Sequence, residues 1–80
     1  MRLDKFLKVS RIIKRRTVAS DACDASLVSV NGKPAKPSKD VGVGDIIEVT
    51  FGERKIRVRV TKVIDSTKKS DAGDMYEVLT

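Results

Sequence analysis

Leu3, Phe6, Leu7, Ser10 and Ile13 recur at three- and four-residue intervals, with Asp4, Lys8 and Arg11 on the opposite side. That spacing predicts an amphipathic helix over residues 2–13. Asp4 falls in its first turn, where the helix dipole favours an anion, and four residues ahead of Lys8. No glycine or proline marks where the helix stops. Thr17 is the expected N-cap of a second helix over residues 18–25. Its stripe is Val18, Ala22 and Ala25, flanked by Ala19 and Cys23, while Ser20, Asp21 and Asp24 face away. The small apolar side chains let this helix approach a neighbour closely. Lys14, Arg15 and Arg16 sit at the junction of the two helices.

After residue 26 the period changes from helical to alternating. "LVSVNG" reads as a short strand running into an Asn31-Gly32 turn, because both residues tolerate positive φ. "KPAKPSKDVGVGD" holds two prolines and two glycines and is expected to be irregular. "IIEVTF" and "KIRVRV" read as strands joined by a hairpin at "GER". The second puts Ile56, Val58 and Val60 on one face and Arg57 and Arg59 on the other, with Lys62 continuing that polar face. "DSTKKSDAGD" is a polar loop and "MYEVL" a last strand. The expected fold class is α+β: two N-terminal helices packed on a small, mainly antiparallel twisted sheet of about four strands. The 80 residues predict a single domain over 1–80 with room for one small core and little room for an enclosed pocket.

Charge changes the picture. Lys plus Arg number 17 against 11 Asp plus Glu, a net charge of +6. Residues 1–16 hold seven cations and one acid, Asp4, while residues 17–80 hold ten of each sign. The whole excess therefore lies in the first fifth of the chain, and "SRIIKRRTV" packs Arg11, Lys14, Arg15 and Arg16 together with no carboxylate between them. Solubility is served by scattered charge, so a field at one end points to a polyanionic partner.

Several chemistries are excluded by composition. There is no histidine and one cysteine, Cys23. A zinc site of the usual nitrogen and sulfur type cannot be assembled, nor can a Ser-His or Cys-His nucleophile. "GVGD" lacks the spacing of a phosphate-binding P-loop. No cofactor, metal or catalytic residue is expected, and the chain is read as a non-enzyme. A lone cysteine suits a reducing cytoplasm, and no apolar run reaches transmembrane length, so no membrane partner is expected. Phe6, Phe51 and Tyr76 are the only aromatics, too few for base-stacking platforms, so folded nucleic acid would be read through backbone and shape.

Arg2, Lys5, Arg11, Lys14, Arg15 and Arg16 form the candidate phosphate-binding set, four of them arginines whose planar fork matches phosphate. The plainer account, a solvated helix face, fits poorly with the missing acids. Neutralising roughly six phosphates gives a log–log salt slope of order −4 to −5. Lys33, Lys36 and Lys39 either extend that surface or simply solubilise the loop. Arg57, Arg59 and Lys62 are balanced by Glu48 and Glu53 as a polar outer face, and Cys23 is a small core residue.

"RLDKFLK", "KRRTVASDA" and "VSVNGKPAKPSKDVGVGDIIEV" together resemble the S-four RNA-binding domain family over residues 2–50. "IKRRT", "FG" and "TKK…MYEVL" extend the resemblance, through residues 51–80, to the stand-alone RqcP-like branch that acts in ribosome-associated quality control. The next nearest branch is the small heat-shock ribosome-binding protein. The resemblance implies a cytoplasmic, ribosome-associated, monomeric module without catalysis. It implies binding to the large ribosomal subunit through helix sixty-nine of its rRNA, and to the peptidyl-tRNA beside it. That tRNA would be held in a P-site-like state while a partner, RqcH, directs alanine tailing. By motif, Arg2 and Arg16 lead the carry-over, Lys5, Arg11, Lys14 and Arg15 support them, and Asn31, Gly32, Lys33 and Lys36 match the family's loop. Ser26 stands where many members have the glycine that ends the second helix. Rival readings are a heat-shock-type recycler, a targeting domain of an RNA-modifying enzyme, a DNA-binding helix pair and a protein adaptor.

Overall fold

The N-terminal stripe folds as helix α1, Leu3–Val9, which ends four residues before the periodicity predicts. The chain reverses instead of continuing. The Ser10 hydroxyl donates to the Leu7 carbonyl at 3.2 Å, Arg11 takes φ 64°, and its N–H reaches the Lys8 carbonyl at 3.1 Å. The stripe survives the reversal: Leu3, Phe6 and Leu7 are fully buried, and Ser10 and Ile13 are buried beside them. A computed structural model describes residues 1–64 and 74–79 of the chain. Of the polar loop expected at "DSTKKSDAGD", all but Asp74 lies outside the described residues.

Helix α2, Arg16–Asp24, starts one residue before Thr17, so Arg15 and not Thr17 is the N-cap, with no side-chain capping bond. Its buried stripe is rotated from the expected one. Ala19 and Cys23 are buried while Val18 is 49% exposed, and α2 packs against α1. α2 ends in a Schellman motif. Ser26 adopts φ 61°, its N–H bonds the Cys23 carbonyl at 3.0 Å, and the Leu27 N–H bonds the Ala22 carbonyl at 2.9 Å. The residue that replaces the family's glycine keeps the geometry of the cap.

Five strands follow: β1 Val28–Val30, β2 Lys33–Pro34, β3 Ile46–Phe51, β4 Arg54–Val60 and β5 Tyr76–Val78. They form one sheet in the order β2-β1-β3-β4-β5, with every neighbouring pair antiparallel. The strand beyond the expected four is β2, in a segment expected to be irregular. Proline is tolerated there because β2 is an edge strand. Pro34 opposes Ser29, and the N–H that bonds β1 belongs to Ala35, which reaches the Val28 carbonyl at 3.1 Å. Asn31 and Gly32 connect β1 to β2 with φ 53° and 85°, the double positive φ of a type I′ hairpin.

One side of the sheet and the inner sides of both helices share a core that includes Phe6, Ile47, Val49, Val58 and Met75. The other side is polar. Glu48 pairs with Lys55 at 3.6 Å and Arg57 at 3.5 Å, and Glu77 pairs with Arg59 at 3.7 Å. Glu77 therefore supplies the balance expected from Glu53, and Lys62 lies beyond the end of β4. Such exposed pairs contribute about 0–1 kcal/mol each.

Candidate nucleic-acid interface

The loop between β2 and β3 positions the basic end. A helix leaves its first N–H groups without internal partners. In α1 two of these are taken by the loop backbone: Leu3 N–H by the Lys39 carbonyl at 2.8 Å and Asp4 N–H by the Pro37 carbonyl at 3.1 Å. Arg2, the N-cap, has no side-chain capping bond and forms an isolated bridge with Asp40. The lysine-bearing loop is thus tied to the start of α1. Arg2 and Lys36 come to line one open groove of about 390 Å³ together with Ser26 and Pro37.

Asp4 does not face solvent, as its place on the polar side of the helix had suggested. It is 4% exposed and joins two segments of the chain. The Arg2 guanidinium donates to it side-on, Nε to Oδ1 and Nη2 to Oδ2, both at 3.2 Å. The Lys5 N–H donates to Oδ1 at 2.7 Å. Nε of Arg16 lies 3.5 Å from Oδ2. Burial pushes the carboxyl's pKa up, but the Arg2 hydrogen bond, the Lys5 N–H and the charges of Arg16 and Arg2 outweigh it and hold the group below its ordinary 3.8. The carboxylate is ionised at neutral pH, and the two arginines, each about half exposed, flank it with a net charge of +1 for the three.

The remaining cations spread around this pair. Lys14 and Arg15 are exposed, and no carboxylate among the described residues lies within ion-pair distance of either. Lys8, Arg11 and Lys14 converge on a cleft of about 180 Å³ beside Val9. Lys8 was not in the sequence-derived set, although its spacing of three from Arg11 was a usable signal. Lys5 is half-buried. Lys33 and Lys39 line a second groove of about 580 Å³ with Asn31.

Asn31 is exposed, and its side chain is engaged within the chain. Its Oδ1 accepts the Ile46 N–H at 3.0 Å and its Nδ2 donates to Asp45 Oδ1 at 3.2 Å. The other Asp45 oxygen accepts the Gly42 N–H at 2.9 Å. The Asn-Gly turn and the Gly-Asp before β3 are therefore one hydrogen-bonded unit, with Gly32 and Lys33 presented at its outer edge.

A family model described as the S4 domain matches residues 1–47, more than half of the chain, and takes in both the Asp4 and the Asn31 clusters.

The chain belongs to the S4 domain family.

It is 54% identical over 80 residues to the RQC P-site tRNA stabilizing factor of Streptococcus pneumoniae, covering all of this chain and 91% of that one. The protein of the same name in Bacillus subtilis is 52% identical over 79 residues, covering 99% and 92%. The solved trimeric structure of Vibrio cholerae Heat Shock Protein 15 superposes with a TM-score of 0.90 at 32% identity, covering 98% of this chain and 80% of that one. In this S4 domain the matched region ends inside β3, so the basic surface lies within it, while β4 and β5 complete the sheet behind.

Cys23 is buried. Burial and the nearby charges of Asp4 and Asp24 push its thiol up to about 11, so it is protonated at neutral pH and unreactive. No group of three or more His, Cys, Asp or Glu that could hold a metal occurs among the described residues. No helix among them is long and apolar enough to cross a membrane.

Proposed function

We propose that this S4 domain is a non-catalytic, cytoplasmic RNA-binding component of bacterial ribosome-associated quality control. It docks on a large ribosomal subunit that still holds an obstructed nascent chain, and it steadies the peptidyl-tRNA in a P-site-like position. Arg2 and Arg16 lead the phosphate contacts, with Lys5, Arg11, Lys14 and Arg15 around them. Gly32, Lys33 and Lys36 approach from the adjoining loop, which Asn31 braces. Helix sixty-nine of the rRNA and the tRNA are the two elements bridged, and RqcH is the partner whose alanine tailing depends on the bridged state. The mechanism is electrostatic and steric: binding is stronger to one tRNA position than to others, which shifts the population towards it.

The observation that carries this reading is the confinement of the chain's net positive charge to its first sixteen residues, in a chain 54% identical along its length to a protein named for stabilising P-site tRNA. The heat-shock recycler is the weaker reading, since identity to the heat-shock proteins is 32% and 37%. Sedimentation with ribosomes tests the proposal. The chain should co-migrate with dissociated large subunits that carry peptidyl-tRNA, with a log–log salt slope of about −4 to −5. Arg2→Ala and Arg16→Ala should each abolish co-migration; because each removes a partner of the buried Asp4 carboxylate, the folded fraction of each variant is measured by circular dichroism before its binding is read. Unchanged co-migration of both variants would rule out the assignment.

A further inference from the structure

We propose that Asp4 is a positioning residue of the RNA surface. It preassembles Arg2 and Arg16 as one guanidinium pair for phosphodiester groups. The inference rests on the RNA-binding role proposed for those two arginines and adds the residue that sets their geometry.

The two guanidinium groups come from separate segments, one preceding α1 and one opening α2. Placed side by side they repel. The buried Asp4 carboxylate faces both, at 3.2 Å from Arg2 and 3.5 Å from Arg16. It engages Arg2 along the Nε–Nη2 edge, so the Nη1 amino group lies at the opposite edge of the planar group, away from the carboxylate. It faces Arg16 at Nε, the nitrogen nearest the backbone, with the terminal amino groups farther out along the side chain. A guanidinium has five N–H donors, so a side-on contact with one carboxylate leaves donors for a phosphate. About half of each arginine side chain is exposed, whereas that of Asp4 is 5% exposed.

A buried ion pair is a weak source of stability, because desolvation offsets the attraction. What it supplies here is order. Two long side chains that are fixed before the ligand arrives do not lose that freedom on binding. Asp4 also reduces the local positive charge, so preorganisation and net charge act on affinity in opposite directions, which makes them separable by experiment.

The probe is a fluorescently labelled tRNA transcript, titrated by anisotropy over a series of salt concentrations. Asp4→Asn adds one positive charge to the surface. If charge alone governs binding, the variant binds more tightly with a steeper salt slope. If Asp4 positions the arginines, it binds roughly fivefold to tenfold more weakly, the loss of about one good hydrogen bond, with a shallower slope. In an Arg2→Lys/Arg16→Lys background, which keeps the charge and leaves binding measurable, the same substitution should then bring no further loss, because its effect passes through the guanidinium forks. Arg16→Lys, at a half-exposed site where folding is secure, keeps the charge but not the fork and should lose roughly tenfold. Parent-like or tighter binding by folded Asp4→Asn overturns the proposal. So does an equal loss in the double-lysine background. If Asp4→Asn fails to fold, parent-like binding by Arg16→Lys overturns it. Undiminished binding by Arg2→Ala and Arg16→Ala would instead overturn the RNA-surface reading on which it rests.

Discussion

Replacing Ser26 by glycine should stabilise this domain. Ser26 occupies the position after the α2 C-cap with φ 61°, where an L-residue sets its Cβ against the neighbouring carbonyl at a cost of roughly 1–2 kcal/mol. Glycine removes that strain, but it has more freedom to lose on folding, an offset of roughly 0.5–1 kcal/mol. The hydroxyl is exposed, so its removal leaves no buried group unpaired. The Schellman hydrogen bonds from Ser26 and Leu27 to Cys23 and Ala22 are made by backbone N–H groups and persist. The net gain is about 0.5–1 kcal/mol, which for a domain of this size raises Tm by roughly 2–8 °C. Urea and thermal unfolding followed by far-UV circular dichroism measure it, with an unchanged m-value as the sign that only stability has moved. Ser26→Ala keeps the Cβ and should bring no gain. A glycine variant with an unchanged or lowered midpoint, or an alanine variant that gains as much, would refute the assignment of strain to this residue.

Asn31→Ala removes two side-chain hydrogen bonds and a residue suited to positive φ, and should cost about 2 kcal/mol in urea unfolding. Asn31→Asp sets a second carboxylate against Asp45 and should be the less stable of the two at neutral pH, recovering as the medium is acidified. Because the folded pKa of Asp4 is lowered, its contribution to stability is fully present above its unfolded value of about 3.9 and is lost as pH falls through the depressed folded value. Acid titration of folding should therefore show a drop beginning near pH 4 that is reduced in Asp4→Asn. Cys23, with its thiol raised to about 11, should resist alkylation in the folded chain and react at the ordinary rate once urea unfolds it, as a timed thiol-labelling series would record.

Several elements of this fold were determined by local sequence. The Leu3, Phe6, Leu7, Ser10, Ile13 stripe marked the buried side of the N-terminal segment even though the helix stops early, because every one of those residues still reaches the core. Asn31-Gly32 marked a hairpin turn, since few other pairs accept two consecutive positive φ values. Alternation in β4 assigned Val58 and Val60 to the core and Arg57 and Arg59 to the outer face. Those signals are short-ranged: each depends on the backbone periods and on conformational preferences of single residues. The one-sided charge could also be read directly from composition.

What the sequence could not decide were the contacts between segments far apart in the chain. Asp4 looked like a solvent-facing helix residue until Arg2 and Arg16 closed over it. The buried stripe of α2, Ala19 and Cys23, was chosen by how the helix docks on the rest of the fold, a requirement of its neighbours and not of α2 itself. β2 exists because Pro34 lies on the outer edge of a sheet whose next strand is already paired, so its missing N–H removes no ladder bond. Periodicity reports which residues share a face; which face is covered, and by which charges, is settled only when elements from different parts of the chain compete to bury it.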